Sequence, residues 1–197
     1  MAQKISLMKK EIKVKVDKFL KEIGKDIEFL YELSTRDEKT GLYNFRFFKS
    51  VLELEMQRYL RDKINKKEQD FTILIIDLDN FKKINTDYGH MTGDKILYEL
   101  ADHLQKTIRK SDTLARFGGE EFVLLMPETP TKKAMRVSER IRNGMWNNHD
   151  LKKYKVTFSG GIAKFNGKEN VNSIMKRADK ALYKAKDKGK NRTELAD

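Results

Sequence analysis

Three carboxylates stand at positions where a folded chain could use them. Asp77 ends the short apolar run "FTILIID" at 71–77, and Glu120 and Glu121 follow Gly118 and Gly119 in "RFGGEEFVLL" at 116–125. An Ile-rich run of this length reads as a strand buried on both faces, so an acid at its C-terminal end points at a site. Two strands split by Gly-Gly read as a hairpin, and its tip can neighbour the end of an adjacent strand. Carboxylates, helped by a backbone carbonyl, are oxygen-only ligands that suit Mg²⁺ or Mn²⁺ and not zinc, and Mg²⁺ usually brings phosphates with it. Adjacent glutamates at an exposed turn can instead be plain solvated charge, the reading that pattern alone favours; only the motifs around them reverse it.

Neighbouring alternatives fail on spacing. An EF-hand loop starting at Asp77 would carry Phe81 at its fifth position, Lys82 in place of glycine at the sixth and Tyr88 in place of the closing glutamate. A P-loop ending at Gly189-Lys190 would need glycine where Lys184 stands. His90, His103 and His149 are not spaced as metal ligands, and His103 is expected on a helix surface. The lack of cysteine excludes disulfides, thiolate zinc sites and a cysteine nucleophile, and fits a reducing compartment. Among 197 residues, 42 Lys and Arg face 30 Asp and Glu, a net +12 that suits nucleic acid, anionic membrane or nucleotide phosphates. The longest apolar run, "ILII" at 73–76, is far below membrane-spanning length, and charges interleave the apolar residues of "MAQKISLMKKEIKVKV". A soluble, cytoplasmic protein is expected, and the Asn191-Arg192-Thr193 sequon reads as chance.

The elements that must hold the acids follow from periodicity. From Ile5, the residues Ile12, Val16, Phe19, Ile23, Leu30 and Leu33 fall at alternating four- and three-residue steps, with Asp26 at one seam position. Residues 1–36 are therefore expected to form a helical stalk that pairs with a second copy as a coiled coil, and 37–197 a single domain; one amphipathic helix packed on that domain is the alternative. Helices are expected over Phe45–Lys63, from the Asp77-Leu78-Asp79 corner to Asn85, over Lys95–Arg109 and over Thr131–Trp146. A last helix carries Val171, Ile174, Met175, Ala178, Leu182 and Ala185 on one stripe. Strands are expected over 71–77, Thr113–Phe117, Glu121–Met126 and Val156–Phe165, with loops at "KINKKEQD" (63–70) and "DYGHMTGD" (87–94). The order contains a βαββαβ heart, an α/β (α+β) class of palm or ferredoxin-like type with helices on a mostly antiparallel sheet.

"RFGGEEF" resembles the signature hairpin of GGDEF-domain diguanylate cyclases in its Glu-Glu form. "DEKTGLYNFR" is similar to that family's opening motif, "DLDNFKKINTDYGHMTGD" to its metal-and-guanine segment, and "ADKALYKAKDKGKNR" to its closing helix, so the resemblance spans about Asp37 to Arg192. It implies that Asp77 and Glu120 are metal ligands helped by the Leu78 carbonyl, holding two Mg²⁺ or Mn²⁺ ions against GTP phosphates. It gives Glu121 the place of a catalytic acid, either a second metal ligand or the general base for the 3′-hydroxyl. Asn85 and Asp94 match residues that hydrogen-bond guanine, whose N1–H and amine are donors. Phe81, Lys82 and Gly119 lie where backbone and charge approach substrate, and Lys186 and Lys190 would meet the triphosphate from the other side. The implied reaction condenses two GTP into cyclic di-GMP by metal-assisted 3′-hydroxyl attack on the α-phosphate, at a site formed between the two subunits of a homodimer. Arg109 and Asp112 in "RKSD", with Arg140, resemble a site that binds cyclic di-GMP as a feedback inhibitor.

The chain also departs from that pattern. Lys39 stands where the opening motif usually has leucine and Phe45 where it often has arginine; both are expected to bear on packing and dimer contacts more than on chemistry. Lys190 stands where arginine is frequent, keeping the charge and losing the bidentate fork. Gly160 in "TFSGGIA" replaces a usual apolar residue, so that strand is expected to bulge or pack loosely. The competing functions are a module that binds GTP or cyclic di-GMP without turnover, and a basic nucleic-acid-binding protein. Intact acids count against the first, and the lack of aromatic-basic interleaving against the second.

Overall fold

The computed structural model of the chain describes residues 2–64 and 69–197, with side chains from residue 13. The middle of the expected loop at 63–70 and the side chains of Ile5 and Ile12 lie outside the described residues. The chain divides into two compact units, the first ending at Arg36 and the second running from Asp37 to Asp197. The first is one helix, α1 (Ala2–Thr35). Its seam residues Val16, Phe19, Ile23, Leu30 and Leu33 are all solvent-exposed, as are Val14, Leu20, Ile27 and Phe29. No helix among the described residues is long and apolar enough to cross a membrane.

The second unit is a six-stranded sheet. Its strands are β1 (Tyr43–Asn44), β2 (Thr72–Leu78), β3 (Thr113–Gly118), β4 (Glu121–Met126), β5 (Phe158–Lys164) and β6 (Thr193–Leu195), in the order β1-β3-β4-β2-β5-β6. The central strand β2 is antiparallel to both β4 and β5, and the two edge strands pair in parallel with their neighbours. The helices are α2 (Phe45–Ile64), α3 (Phe81–Tyr88), α4 (His90–Thr107), α5 (Thr131–Gly144), α6 (His149–Lys153) and α7 (Val171–Asp187). Side chains alternate across a strand, and the two cores show it. Leu74, Ile76, Phe122 and Leu124 pack with Ile96, Leu100, Leu104 and Ile141 of α4 and α5. Ile73, Ile75, Val123 and Leu125 pack with Phe48 and Leu52 of α2 and Ile174 and Leu182 of α7. A strand covered on both faces is apolar along most of its length, as β2 is from Ile73 to Ile76, with Asp77 the acid near its end.

Four expectations need correcting. The "DYGHMTGD" segment is not a loop: α4 starts at His90, because Gly89 at φ 83° redirects the backbone within one residue. The strand containing Gly160 does not bulge, since β2 and β5 pair without a break from Thr72↔Lys164 to Leu78↔Phe158. A Cβ at Gly160 would lie 2.8 Å from Thr193 Oγ1 and 3.0 Å from Leu74 Cδ1, so glycine there makes room for β6. The irregularity falls in β3 instead, between Arg116 and Gly118. His103 is not on an open surface: half-buried, it donates from Nε2 to the Ile141 carbonyl at 2.8 Å, in space that Gly144 leaves by lacking a side chain. The fourth concerns Lys39 and belongs to the site.

Candidate active site

Asp77 and Glu121 are register partners on β2 and β4, so their side chains leave the same face at the same end of the sheet. The Leu78 N–H donates to the Glu120 carbonyl at 3.3 Å, which carries the ladder one step into the turn and sets Glu120 beside the end of β2. Lys186, in the last turn of α7, reaches Asp77 Oδ2 at 2.8 Å. Burial raises the Asp77 carboxyl above its usual range; the Lys186 ammonium opposes the shift, and the Glu120 and Asp79 charges add to it. Glu121 is raised too, by burial first and then by the Asp77 charge.

The hairpin tip is held from outside. Gly119 takes φ 52°, a conformation that glycine adopts without strain. Arg116 donates to the Gly119 carbonyl from Nε at 3.1 Å and Nη2 at 2.7 Å, and its Nη1 reaches both Asp37 oxygens, at 3.1 and 3.3 Å. Asp37 in turn accepts from the Thr40 N–H and hydroxyl at 3.0 and 2.7 Å. A planar fork between a carbonyl and a carboxylate makes the turn at 37–42 and the hairpin one clamped piece.

The corner after β2 is fixed as firmly. Asp79 is buried and accepts from the Thr157 and Ser159 hydroxyls, each at 2.7 Å, and from the Asn191 N–H at 3.0 Å. Lys190 reaches Asn80 Oδ1. Lys186 and Lys190 therefore gather at the 77–80 corner, beside the acids.

A cleft of about 640 Å³ opens next to the hairpin, lined by Phe81, Lys82, Asn85, Asp94, Gly119 and Glu120, with Lys39, His90 and Arg116 also on its walls. Gly93 supports Asn85: a Cβ there would lie 1.9 Å from Asn85 Oδ1. Lys39 corrects the fourth expectation. It pairs with Asp94 at 2.6 Å and lines this cleft, so its place is on the cleft wall and not only in packing.

The family described as "Diguanylate cyclase, GGDEF domain" matches residues 34–192. The chain belongs to the GGDEF family. Diguanylate cyclase A of Treponema denticola is 40% identical to it over 171 residues, 85% of this chain and 46% of that protein. The chain thus spans about half the length of that relative. The coiled coil and GGDEF domain of DgcB from Caulobacter crescentus, solved in complex with c-di-GMP, shares the fold: TM-score 0.83, 24% identity, 93% of this chain and 96% of that one. The active GGEEF domain of a diguanylate cyclase from Vibrio cholerae matches with TM-score 0.68 and 30% identity, over 78% of this chain and 97% of its own.

This GGDEF domain brings its remaining sequence-predicted residues together in a second cavity, of about 240 Å³. Arg109, Asp112 and Arg140 line it, joined by Lys133 and Arg136 from α5. Asp112 accepts from the Arg109 N–H at 2.9 Å; burial raises its pKa, against that bond and the two guanidiniums. Phe45 meets Phe117 edge to face at 4.3 Å, the packing role expected of it. Sequence reasoning missed Lys39, Arg116, Asp37 and Gly93 as parts of the site, although each stood in a quoted motif without a task. Their pairing across motifs was the available signal.

Among the described residues no group of three or more His, Cys, Asp or Glu is arranged to hold a metal ion by itself. The donors at the corner, three carboxylates and the Leu78 carbonyl, are hard oxygens that need phosphate oxygens to complete a shell. That donor set fits Mg²⁺ or Mn²⁺.

Proposed function

We propose that two copies of this chain condense two GTP into cyclic di-GMP and two pyrophosphates. The observation that carries the proposal is one cleft, large enough for a nucleotide, lined by Asn85 and Asp94 and also by Glu120, next to the Asp77–Glu121 pair. Asn85 and Asp94 bind guanine through its N1–H and amine. Lys82, Lys186 and Lys190 offset the charge of the triphosphate. Asp77, Glu120, Glu121 and the Leu78 carbonyl would hold two divalent ions, which when bound would supply charge neutralisation at the α-phosphate and pyrophosphate and a more acidic 3′-hydroxyl. Glu121, the register partner of Asp77 at the same end of the sheet, serves either as a further ligand of those ions or as the base that takes the 3′-hydroxyl proton. Each 3′-oxygen forms a bond to the α-phosphorus of the other GTP as the bond to pyrophosphate breaks. One domain presents one GTP, so two domains must face each other.

The exposed heptad seam of α1 supplies the means: two stalks pair in parallel and raise the effective concentration of the half-sites. The cavity of Arg109, Asp112 and Arg140 takes cyclic di-GMP and restrains the enzyme. The relatives' names support the reaction, and the Vibrio cholerae domain, described as active, carries the same two glutamates by its GGEEF description.

The test is incubation with GTP and Mg²⁺ or Mn²⁺, nucleotides being resolved by chromatography with mass detection. Cyclic di-GMP from the wild type, and none from Glu120→Ala/Glu121→Ala, is the expected result. No product at protein concentrations that drive dimers would overturn it.

A further inference from the structure

Lys39 has one hydrogen-bonding partner among the described residues, Asp94, with Nζ 2.6 Å from Oδ1. Both side chains are half-exposed, 54% and 50%, and both face the cleft that Asn85 lines. An exposed lysine is ordinarily a mobile surface charge. This one projects from a turn braced by its own hydrogen bonds. Asp37 accepts from Thr40, the Asp37 N–H donates to the Leu42 carbonyl at 2.8 Å, and the Gly41 N–H donates to the Asp37 carbonyl at 2.8 Å. Arg116 then ties the same Asp37 to the hairpin.

We propose that Lys39 is a specificity-determining residue of the purine pocket, donating to O6 of guanine while Asp94 accepts from N1–H and the amine. The proposal rests on the guanine-binding reading of the cleft. The edge of guanine presents two donors and then one acceptor, and a carboxylate with an ammonium beside it presents two acceptors and then one donor. An ammonium has three N–H donors, and only one is engaged by Asp94, so the ion pair need not break when O6 arrives. Adenine has an amine at that place, which would set donor against donor and leave the inward-facing lysine N–H without an acceptor. The pair therefore both favours guanine and penalises adenine, which Asp94 and Asn85 alone do less completely.

The experiment measures calorimetric affinities of the full chain for 3′-deoxy-GTP, its 6-thio counterpart and 3′-deoxy-ATP, none of which can cyclise. In the wild type the thio compound, whose sulfur is a poor acceptor, should bind more weakly than the oxo compound. Lys39→Met should bind 3′-deoxy-GTP about ten-fold more weakly, as loss of one half-exposed charge-assisted hydrogen bond predicts, and should bring the three ligands closer together. Lys39→Arg, which keeps a donor, should restore the preference, and melting temperatures confirm that each variant is folded. Equal or tighter binding by Lys39→Met, with unchanged ratios between ligands, would overturn the proposal and leave Lys39 a counter-ion of Asp94. If the wild type bound none of the three, the guanine pocket itself would fall, and Lys39 with it.

Discussion

If the cleft binds guanine as proposed, Gly93→Ala should separate that binding from the stability of the fold. A Cβ at residue 93 lies 1.9 Å from Asn85 Oδ1, 3.0 Å from Asn85 Cγ and 3.2 Å from Phe81 Cζ. The amide must retreat by roughly 1.5 Å to reach ordinary contact distance, which takes it beyond hydrogen-bond range of any base it had been holding. A base atom left without its partner costs about 1–3 kcal/mol, on the order of a 5- to 150-fold rise in Kd for 3′-deoxy-GTP. The fold should not suffer. Residue 93 is helical in α4, where alanine is better than glycine by up to about 1 kcal/mol, and the clash is with the free end of a side chain. Calorimetric binding beside thermal melting reads both effects. Affinity equal to wild type would refute the placement of guanine on Asn85; weak binding with a melting temperature several degrees lower would refute the separation of pocket from fold.

Gly161→Ala should do the opposite, destabilising the domain by several kcal/mol in urea titration, because its Cβ would lie 2.0 Å from the Ala178 carbonyl oxygen and 2.4 Å from the Leu182 nitrogen. At Asp37 burial pushes the pKa up, but the bonds from Thr40 and Arg116 outweigh it and hold the carboxyl below its usual value. A depressed native pKa gives stability that is present above the unfolded-state value and lost as pH falls through the native one, so the advantage of wild type over Asp37→Asn should shrink below about pH 4 in denaturant midpoints. Arg109→Ala should relieve inhibition by added cyclic di-GMP in a pyrophosphate-release assay; undiminished inhibition would remove that ligand from the second cavity. A chain beginning at Asp37 should lose specific activity steeply as enzyme is diluted while the full chain does not; matching dilution curves would take the dimerising role from α1.

What could be read from the sequence was whatever is written locally. The runs that became β2 and β4 are apolar on both faces, and Gly-Gly between two such runs marks their turn, so the sheet's centre and the placement of Asp77 beside the glutamates were legible. β1 and β6, two and three residues long, have no period of their own and exist through the partners at β3 and β5. The same holds within the site. Lys39–Asp94 spans 55 residues of sequence and Asp37–Arg116 spans 79, and no spacing rule encodes either. Yet those contacts follow a pattern. Asp37–Arg116 joins the opening motif to the hairpin, Lys39–Asp94 joins it to the segment at 77–94, and Lys186–Asp77 with Asp79–Asn191 joins the closing motif to the acids. Lys39, Arg116 and Asp79, which had no evident chemistry within their own motif, are the ones that bind one motif to another. In a site assembled from four distant segments, such cross-ties hold the reacting groups at fixed distances, and leftover charges of opposite sign in separate motifs are where to look for them.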